Sequence, residues 1–335
     1  FHLCNLKIVV QLVVNKTLNF YMIDLSLIRK AKTRIDPYVH TTPILTSSKI
    51  NEIANTDLYF KCENFQKSGS FKIRGATNTI LQLTSKELKR GIVTASSGNH
   101  GAALSMAASR LGIKPKIVMP INTSKVKINN VIRNGGQIIW CDPNQSSRDK
   151  VLNDILNKTK SILVHPYNDE RIIEGQGTVA LELIEQCPEI EAIITPVSGG
   201  GLLGGTICTT KKMNDKIKVY GAEPKEADDA FRSIKSGVIK ANKSTNTICD
   251  GLRAQIGILT FPIIKNYVAD IFTIEEKEII DSMRLIWETM KIIVEPSCAI
   301  TLSAIIKNKK IFEGMKVGLI VSGGNVDLDN LPWGN

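Results

Sequence analysis

Phe65-Gln66-Lys67-Ser68-Gly69-Ser70-Phe71-Lys72-Ile73-Arg74-Gly75-Ala76 is the stretch on which the reading of this chain turns. A Gly-Ser turn leads into a helical pattern over residues 70–83. Lys72 then stands just inside the helix, near the positive end of its dipole, a placement that lowers the pKa of an amine. A lysine that gives up its proton can condense with an aldehyde; one that keeps it is a solvated surface cation. Spacing alone leaves both readings open.

Outward from this stretch the chain reads as strand-then-helix units. Residues 58–63, 91–95, 116–119, 137–140 and 161–164 read as strands, and 101–111, 126–134 and 148–157 as helices among them. Helices at 175–186 and 202–212 alternate with strands at 192–197 and 218–222, and a strongly periodic helix at 275–290 precedes a last strand at 318–321. Such alternation predicts an α/β fold with parallel sheets. A further helical pattern opens at Asp24, a plausible N-cap.

The chain of 335 residues exceeds what one compact core usually holds, so two lobes are expected. The composition, 43% hydrophobic and 22% charged, is that of an ordinary globular protein. A net charge of +11 suits either a nucleic-acid binder or an enzyme for anionic ligands. No basic run and no recognition-helix signature favours the first, so no nucleic-acid partner is expected. Seven cysteines without a C-x-x-C pair and four scattered histidines argue against a disulfide scaffold or a zinc site. Reduced thiols point to the cytoplasm. No apolar run reaches the ~18 residues of a membrane span, so no membrane partner is expected either. Residues 1–21 carry a short apolar patch and read as an extension, with Met22 a candidate natural start.

Four further motifs follow strands. Ser96-Ser97-Gly98-Asn99-His100-Gly101 makes either an anion site at a helix start or a capped βα turn. Ser198-Gly199-Gly200-Gly201-Leu202-Leu203-Gly204-Gly205 lets the backbone approach a phosphate at a helix N-terminus, though it matches no nucleotide fingerprint. Ser322-Gly323-Gly324-Asn325 is a similar turn. Glu223, Ala227 and Asp229 offer two carboxylates and a carbonyl to a hard cation, or a solvated acidic helix start.

In combination these motifs resemble the fold-type II enzymes of pyridoxal 5′-phosphate (PLP), in their serine racemase and serine/threonine dehydratase branch. Gly221-Ala222-Glu223-Pro224 and Glu295-Pro296-Ser297 fall in the same order as in that branch. The resemblance implies a tryptophan synthase β-like architecture of two open twisted parallel-sheet lobes, residues 22–83 with 166–335 as the large PLP-binding lobe and 84–165 as a small mobile one. It implies interconversion of L- and D-serine with dehydration to pyruvate and ammonia, or a catabolic L-threonine/L-serine or hydroxyaspartate ammonia-lyase. A PLP-binding protein without turnover is the alternative from another class.

Residue by residue, the resemblance makes Lys72 the PLP lysine and an acid/base on one face of the substrate, and Ser97 the group on the other. Asn99, Ser198, Gly199, Gly200, Gly201, Leu202 and Ser322 are expected to hold PLP. Ser96, Gly98, His100 and a gate-like Arg148 are expected to hold the substrate. Glu223, Ala227 and Asp229 are expected to bind Mg²⁺ or Ca²⁺. Ser47, Ser48, Lys67, Lys291 and Asn325 are candidates for ATP as an activator. Tyr167 stands where some racemases have Asn beside PLP. A homodimer is expected, and no isoleucine-sensing regulatory domain.

Overall fold

The computed structural model describes residues 22–333, so the extension read at 1–21 lies outside the described residues. Two sheets organise the chain. The larger has six strands in the order β1 (Ile44–Leu45), β2 (Asp57–Cys62), β10 (Lys316–Val321), β7 (Ala192–Pro196), β8 (Lys218–Pro224) and β9 (Asp270–Ile274). Only β1 runs antiparallel to its neighbour; the other pairs are parallel. The smaller sheet is wholly parallel, in the order β5 (Gln137–Cys141), β4 (Lys116–Pro120), β3 (Ile92–Ala95) and β6 (Ile162–Leu163).

Burial explains why the central strands were legible. All of β7 and all but the first residue of β10 are buried, so each reads as a continuous apolar run rather than an alternation. The outer β5 keeps Trp140 exposed. No helix among the described residues is long and apolar enough to cross a membrane.

Small residues set the helix that carries Lys72. Helix Lys72–Ile80 crosses Glu170–Gln186 at Gly75 and Gly175; a Cβ on Gly175 would come within 2.6 Å of Gly75 Cα. Helix Gly201–Met213 crosses the same partner at Gly205 and Gly177, where a Cβ on Gly205 would lie 2.6 Å from Gly177 N. One buried helix thus fixes the relative positions of the two segments that matter most below.

Beneath them lies a buried ion cluster. Arg74 is fully buried and donates through Nε and Nη2 to both Glu63 oxygens at 2.7 Å, and through Nη1 and Nη2 to both Glu182 oxygens at 2.8 Å. Lys61, also fully buried, donates to Glu182, Gln186 and the Thr42 carbonyl, each at 2.8 Å. Two buried cations face two buried carboxylates, with the partly exposed Lys32 3.6 Å from Glu182 at the edge of the cluster.

Candidate active site

The lysine turn is stitched to the loop after β10. Phe71 N donates to Ser322 O at 3.0 Å and Gly324 N to Gly69 O at 2.9 Å, with Gly69 at φ +73°. Lys72 opens its helix, and its Nζ donates to Pro166 O at 2.9 Å. Burial is the leading cause that pushes this amine down to about 8, against the opposing pull of Glu295. Burial therefore prepares Lys72 to lose its proton, in the same sense as its place at the start of the helix.

Lys72 opens onto a cavity of about 1090 Å³. Residues 198–202 form one wall. Gly200 has φ +86° and begins helix Gly201–Met213, whose first amides have no partner within the helix. Thr260 Oγ1 donates to Gly199 O at 2.7 Å, and Gly257 N donates to it at 3.1 Å, which fixes the turn. Ser198 Oγ accepts from Ala254 N at 3.0 Å and donates to Ala254 O at 3.2 Å. The serine side chain shapes the loop, and the backbone amides of the glycines are left for an anion. Tyr167 lies against Gly199, its ring packed edge-on to His165 with 4.6 Å between centroids.

Residues 96–100 line the same cavity. Ser96 Oγ accepts from Gly98 N and Gly101 N, each at 3.3 Å, so it caps the turn into helix Asn99–Ser109. The Ser97 side chain lines the cavity. His100 lines the same cavity. Its buried ring bonds Val164 O through Nε2 at 3.1 Å and leaves Nδ1 without a partner; burial pushes it down to about 3, so it is neutral. With the proton on Nε2, Nδ1 is a lone pair that repels a carboxylate. His100 can serve an anionic substrate through its backbone amide, not through its ring. Arg148 lines the same cavity and has a buried, unpartnered Nε.

Asn99, Glu295 and Asn325 form a polar chain at the cavity edge. Asn99 Nδ2 donates to Glu295 Oε1 at 2.8 Å; Asn325 Nδ2 donates to Asn99 Oδ1 at 2.8 Å and to Ser68 O at 2.9 Å. Asn325 N donates to Glu295 Oε2 at 3.2 Å, and Asn325 Oδ1 accepts from Asn130 at 3.3 Å. Both ends of the Asn325 amide are thus engaged within the chain, at the edge of the active site. Burial pushes Glu295 up to about 8. Ser322 is nearly buried and lines the cavity. Of the remaining nucleotide candidates, Ser47 caps helix Ser48–Ala54, whose first residue is Ser48, and Lys291 ends helix Glu276–Met290 at φ +59° with Nζ on Glu288 O at 2.6 Å. Lys67 N donates to the side chain of Gln66 at 2.9 Å.

Glu223 and Asp229 are fully buried. Glu223 accepts from Ala230 N at 3.0 Å and Phe231 N at 2.9 Å, and Asp229 Oδ2 from Ile256 N at 2.7 Å; Asp229 Oδ1 lacks a partner. Burial raises Glu223 and pushes Asp229 up to about 6. This hard oxygen donor set, with one orphaned carboxylate oxygen, fits a divalent cation. The solvated acidic helix start is excluded by the burial.

Sequence reasoning missed the ion cluster around Arg74, the Asn325 junction, and the ion pair of Lys127 with Asp250, which joins helix Lys125–Arg133 to the turn Asp250–Leu252. Each joins residues far apart in the chain, so no local spacing announces it.

The site has the donor set that PLP requires: a buried amine with a lowered pKa and free amides on a glycine turn. Residues 35–323 match the family model described as "Pyridoxal-phosphate dependent enzyme". The serine racemase of Arabidopsis thaliana is 48% identical over 316 residues, covering 93% of this chain and 96% of that protein. The β-hydroxyaspartate dehydratase of Paracoccus denitrificans is 46% identical over 303 residues, covering 90% and 96%. The structure of maize serine racemase superimposes with a TM-score of 0.90 at 46% identity, covering 92% of this chain and 95% of that one. Site geometry, fold and likeness coincide: this chain belongs to the pyridoxal-phosphate dependent enzymes.

Proposed function

We propose that this chain interconverts L- and D-serine and also dehydrates serine to pyruvate and ammonia. The observation that carries the reading is that an amine and a hydroxyl, Lys72 and Ser97, line one cavity together with the glycine turn. PLP, when bound, supplies a conjugated electron-withdrawing ring that acidifies the substrate Cα–H.

The chain's own groups do the rest. Lys72 holds the cofactor covalently and moves the Cα proton on one face, its amine made easier to discharge by burial. Ser97 delivers or removes a proton on the other face; elimination alone would need only one such base. The amides of residues 199–202 hold the phosphate, and Asn99 donates to the phenolic oxygen. Ser322 meets the ring nitrogen with a hydroxyl, which cannot hold it protonated as a carboxylate would. Amides of the turn at 96–100 take the substrate carboxylate, and Arg148 supplies an unpaired cation on the lobe of residues 84–165, which closes and excludes water. Glu223, Asp229 and the Ala227 carbonyl hold Mg²⁺ or Ca²⁺ as a structural cross-link, and the working unit is a homodimer.

The test is incubation of purified protein with L-serine, following D-serine by chiral analysis together with pyruvate. Both are expected, Lys72→Ala should lose both, and Ser97→Ala should lose D-serine first. Pyruvate without any D-serine would replace the racemase reading with that of an ammonia-lyase.

A further inference from the structure

Asn99 can point either end of its side-chain amide into the cavity, and only the nitrogen end can donate. The polar chain around it decides which. Ser68 O is a carbonyl and can only accept, so the amide end of Asn325 that it bonds, at 2.9 Å, must be Nδ2. The same nitrogen lies 2.8 Å from Asn99, which must therefore present Oδ1 to it. Asn99 Nδ2 is left facing Glu295 Oε1 at 2.8 Å. At the far end of the chain, Glu295 Oε2 meets Asn325 N at 3.2 Å, a group that can only donate. One carbonyl and one backbone N–H thus anchor the whole sequence of donors and acceptors, and the carboxyl of Glu295 is the acceptor at its centre. Asn99 Nδ2 carries two hydrogens and spends one on Glu295; the other is unassigned, on a side chain that lines the cavity with Lys72 and Ser322.

Burial pushes the Glu295 carboxyl up to about 8, while the N–H groups of Asn99 and Asn325 favour its ionised form, so both oxygens are acceptors above that pH. Glu295 is 3% exposed and has no direct ion-pair partner among the described residues. Gly323 leaves room for it: a Cβ there would lie 2.8 Å from Oε1. Its backbone is held by Glu295 N donating to Gly323 O at 3.1 Å. Asn99 follows the small sheet's β3, whereas Glu295 and Asn325 belong to segments beside the large sheet's β10, so the contact crosses between the sheets.

We propose that Glu295 is a positioning residue, which fixes the Asn99 amide with its free hydrogen toward the phenolic oxygen of the cofactor. The inference rests on the reading that Asn99 faces that oxygen. Glu295→Gln keeps the shape but replaces one acceptor by a donor. Its amide nitrogen must then oppose either Asn325 N or Asn99 Nδ2. In the second case Asn99 turns over, loses Asn325, and offers an oxygen to an oxygen. The loss of one such bond corresponds to PLP binding weaker by about tenfold.

The experiment titrates apo protein with PLP at a pH above 8, where Glu295 is ionised, and records the dissociation constant and the share of the bound cofactor's visible absorption band against its near-ultraviolet band. Parent, Glu295→Gln, Asn325→Ala and Asn99→Ala are compared, each checked for a parent-like melting profile. Glu295→Gln and Asn325→Ala are expected to weaken binding and shift the band share toward that of Asn99→Ala. A parent-like constant and band share in Glu295→Gln, with both changed in Asn99→Ala, would overturn the role of Glu295 alone. Parent-like behaviour of Asn99→Ala would overturn the reading of Asn99 and the proposal with it. Should Glu295→Gln fail to fold, Asn325→Ala decides by the same two readouts.

Discussion

Gly199→Ala is the sharpest probe of how the glycine turn is built. A Cβ on Gly199 would lie 2.3 Å from both Cδ2 and Cγ of Tyr167 and 2.4 Å from Cδ1. Carbon atoms at rest sit about 3.5–4.0 Å apart, so something must move by more than an ångström. Cγ is the root of the ring, not a flexible tip, and the ring is braced by His165, whose Nδ1 accepts from Tyr167 N at 3.3 Å. The turn is braced too, by Thr260 and Gly257 on Gly199 O. Overpacking of this kind costs about 1–3 kcal/mol. If the turn yields, PLP affinity falls by roughly 5- to 150-fold. Titration of apo protein with PLP, followed by absorbance, gives the constant. Gly199→Ala combined with Tyr167→Ala should recover most of the loss, because the obstacle is gone. Binding by Gly199→Ala within twofold of the parent, or no recovery in the double variant, would refute the packing of this ring on this turn.

Two further outcomes follow from buried charge. Arg74→Met leaves Glu63 without a cation and Glu182 to Lys61 and Lys32, and should lower stability by roughly 3–5 kcal/mol in urea unfolding; an unchanged midpoint would contradict a structural role for the cluster. Its pH dependence has a definite sign. Arg74 and Lys61 hold Glu182 down to about 2 from an ordinary 4.5, so its contribution is present above 4.5 and is lost as pH falls toward 2, a slope that Arg74→Met should flatten. At the carboxylate pair, Ca²⁺ or Mg²⁺ should raise the melting temperature of the parent and not of Glu223→Gln; no rise in the parent would remove the cation from the account.

The sequence made the parallel strands legible because burial on both faces writes itself as an apolar run, as in β7 and β10. Helices were harder where they lack a polar face or carry Pro. Helix Pro296–Lys307 begins with Pro at its first position and buries nine consecutive residues, so it shows no amphipathic period. Helix Thr260–Tyr267 holds Pro262 in its first turn, which in sequence resembles a breaker. At the site, Lys72 and the glycine turn were readable because their chemistry is local. Asn325 was not, because its role depends on Asn99, 226 residues away in sequence. The state of the His100 ring was not legible either: a polar residue in such a turn gives no hint that its ring is neutral and tied to Val164.

The same geometry bears on the net charge of +11. Parallel strands that end on one side deliver the N-termini of their following helices to that side. Here the first residues of Lys72–Ile80, Asn99–Ser109, Gly201–Met213 and Pro296–Lys307, or the residues just before them, line one cavity. Four positive helix ends therefore converge on it, with the uncommitted Arg148 at its wall. A field of this sign suits a ligand that carries an anion at each end, a phosphate on the glycine turn and a carboxylate on the serine turn. It also disfavours a second positive charge in the same space. The amine of Lys72, already weakened as a base by burial, is thereby the one cation of the site that is readily discharged, which is the condition its covalent chemistry requires.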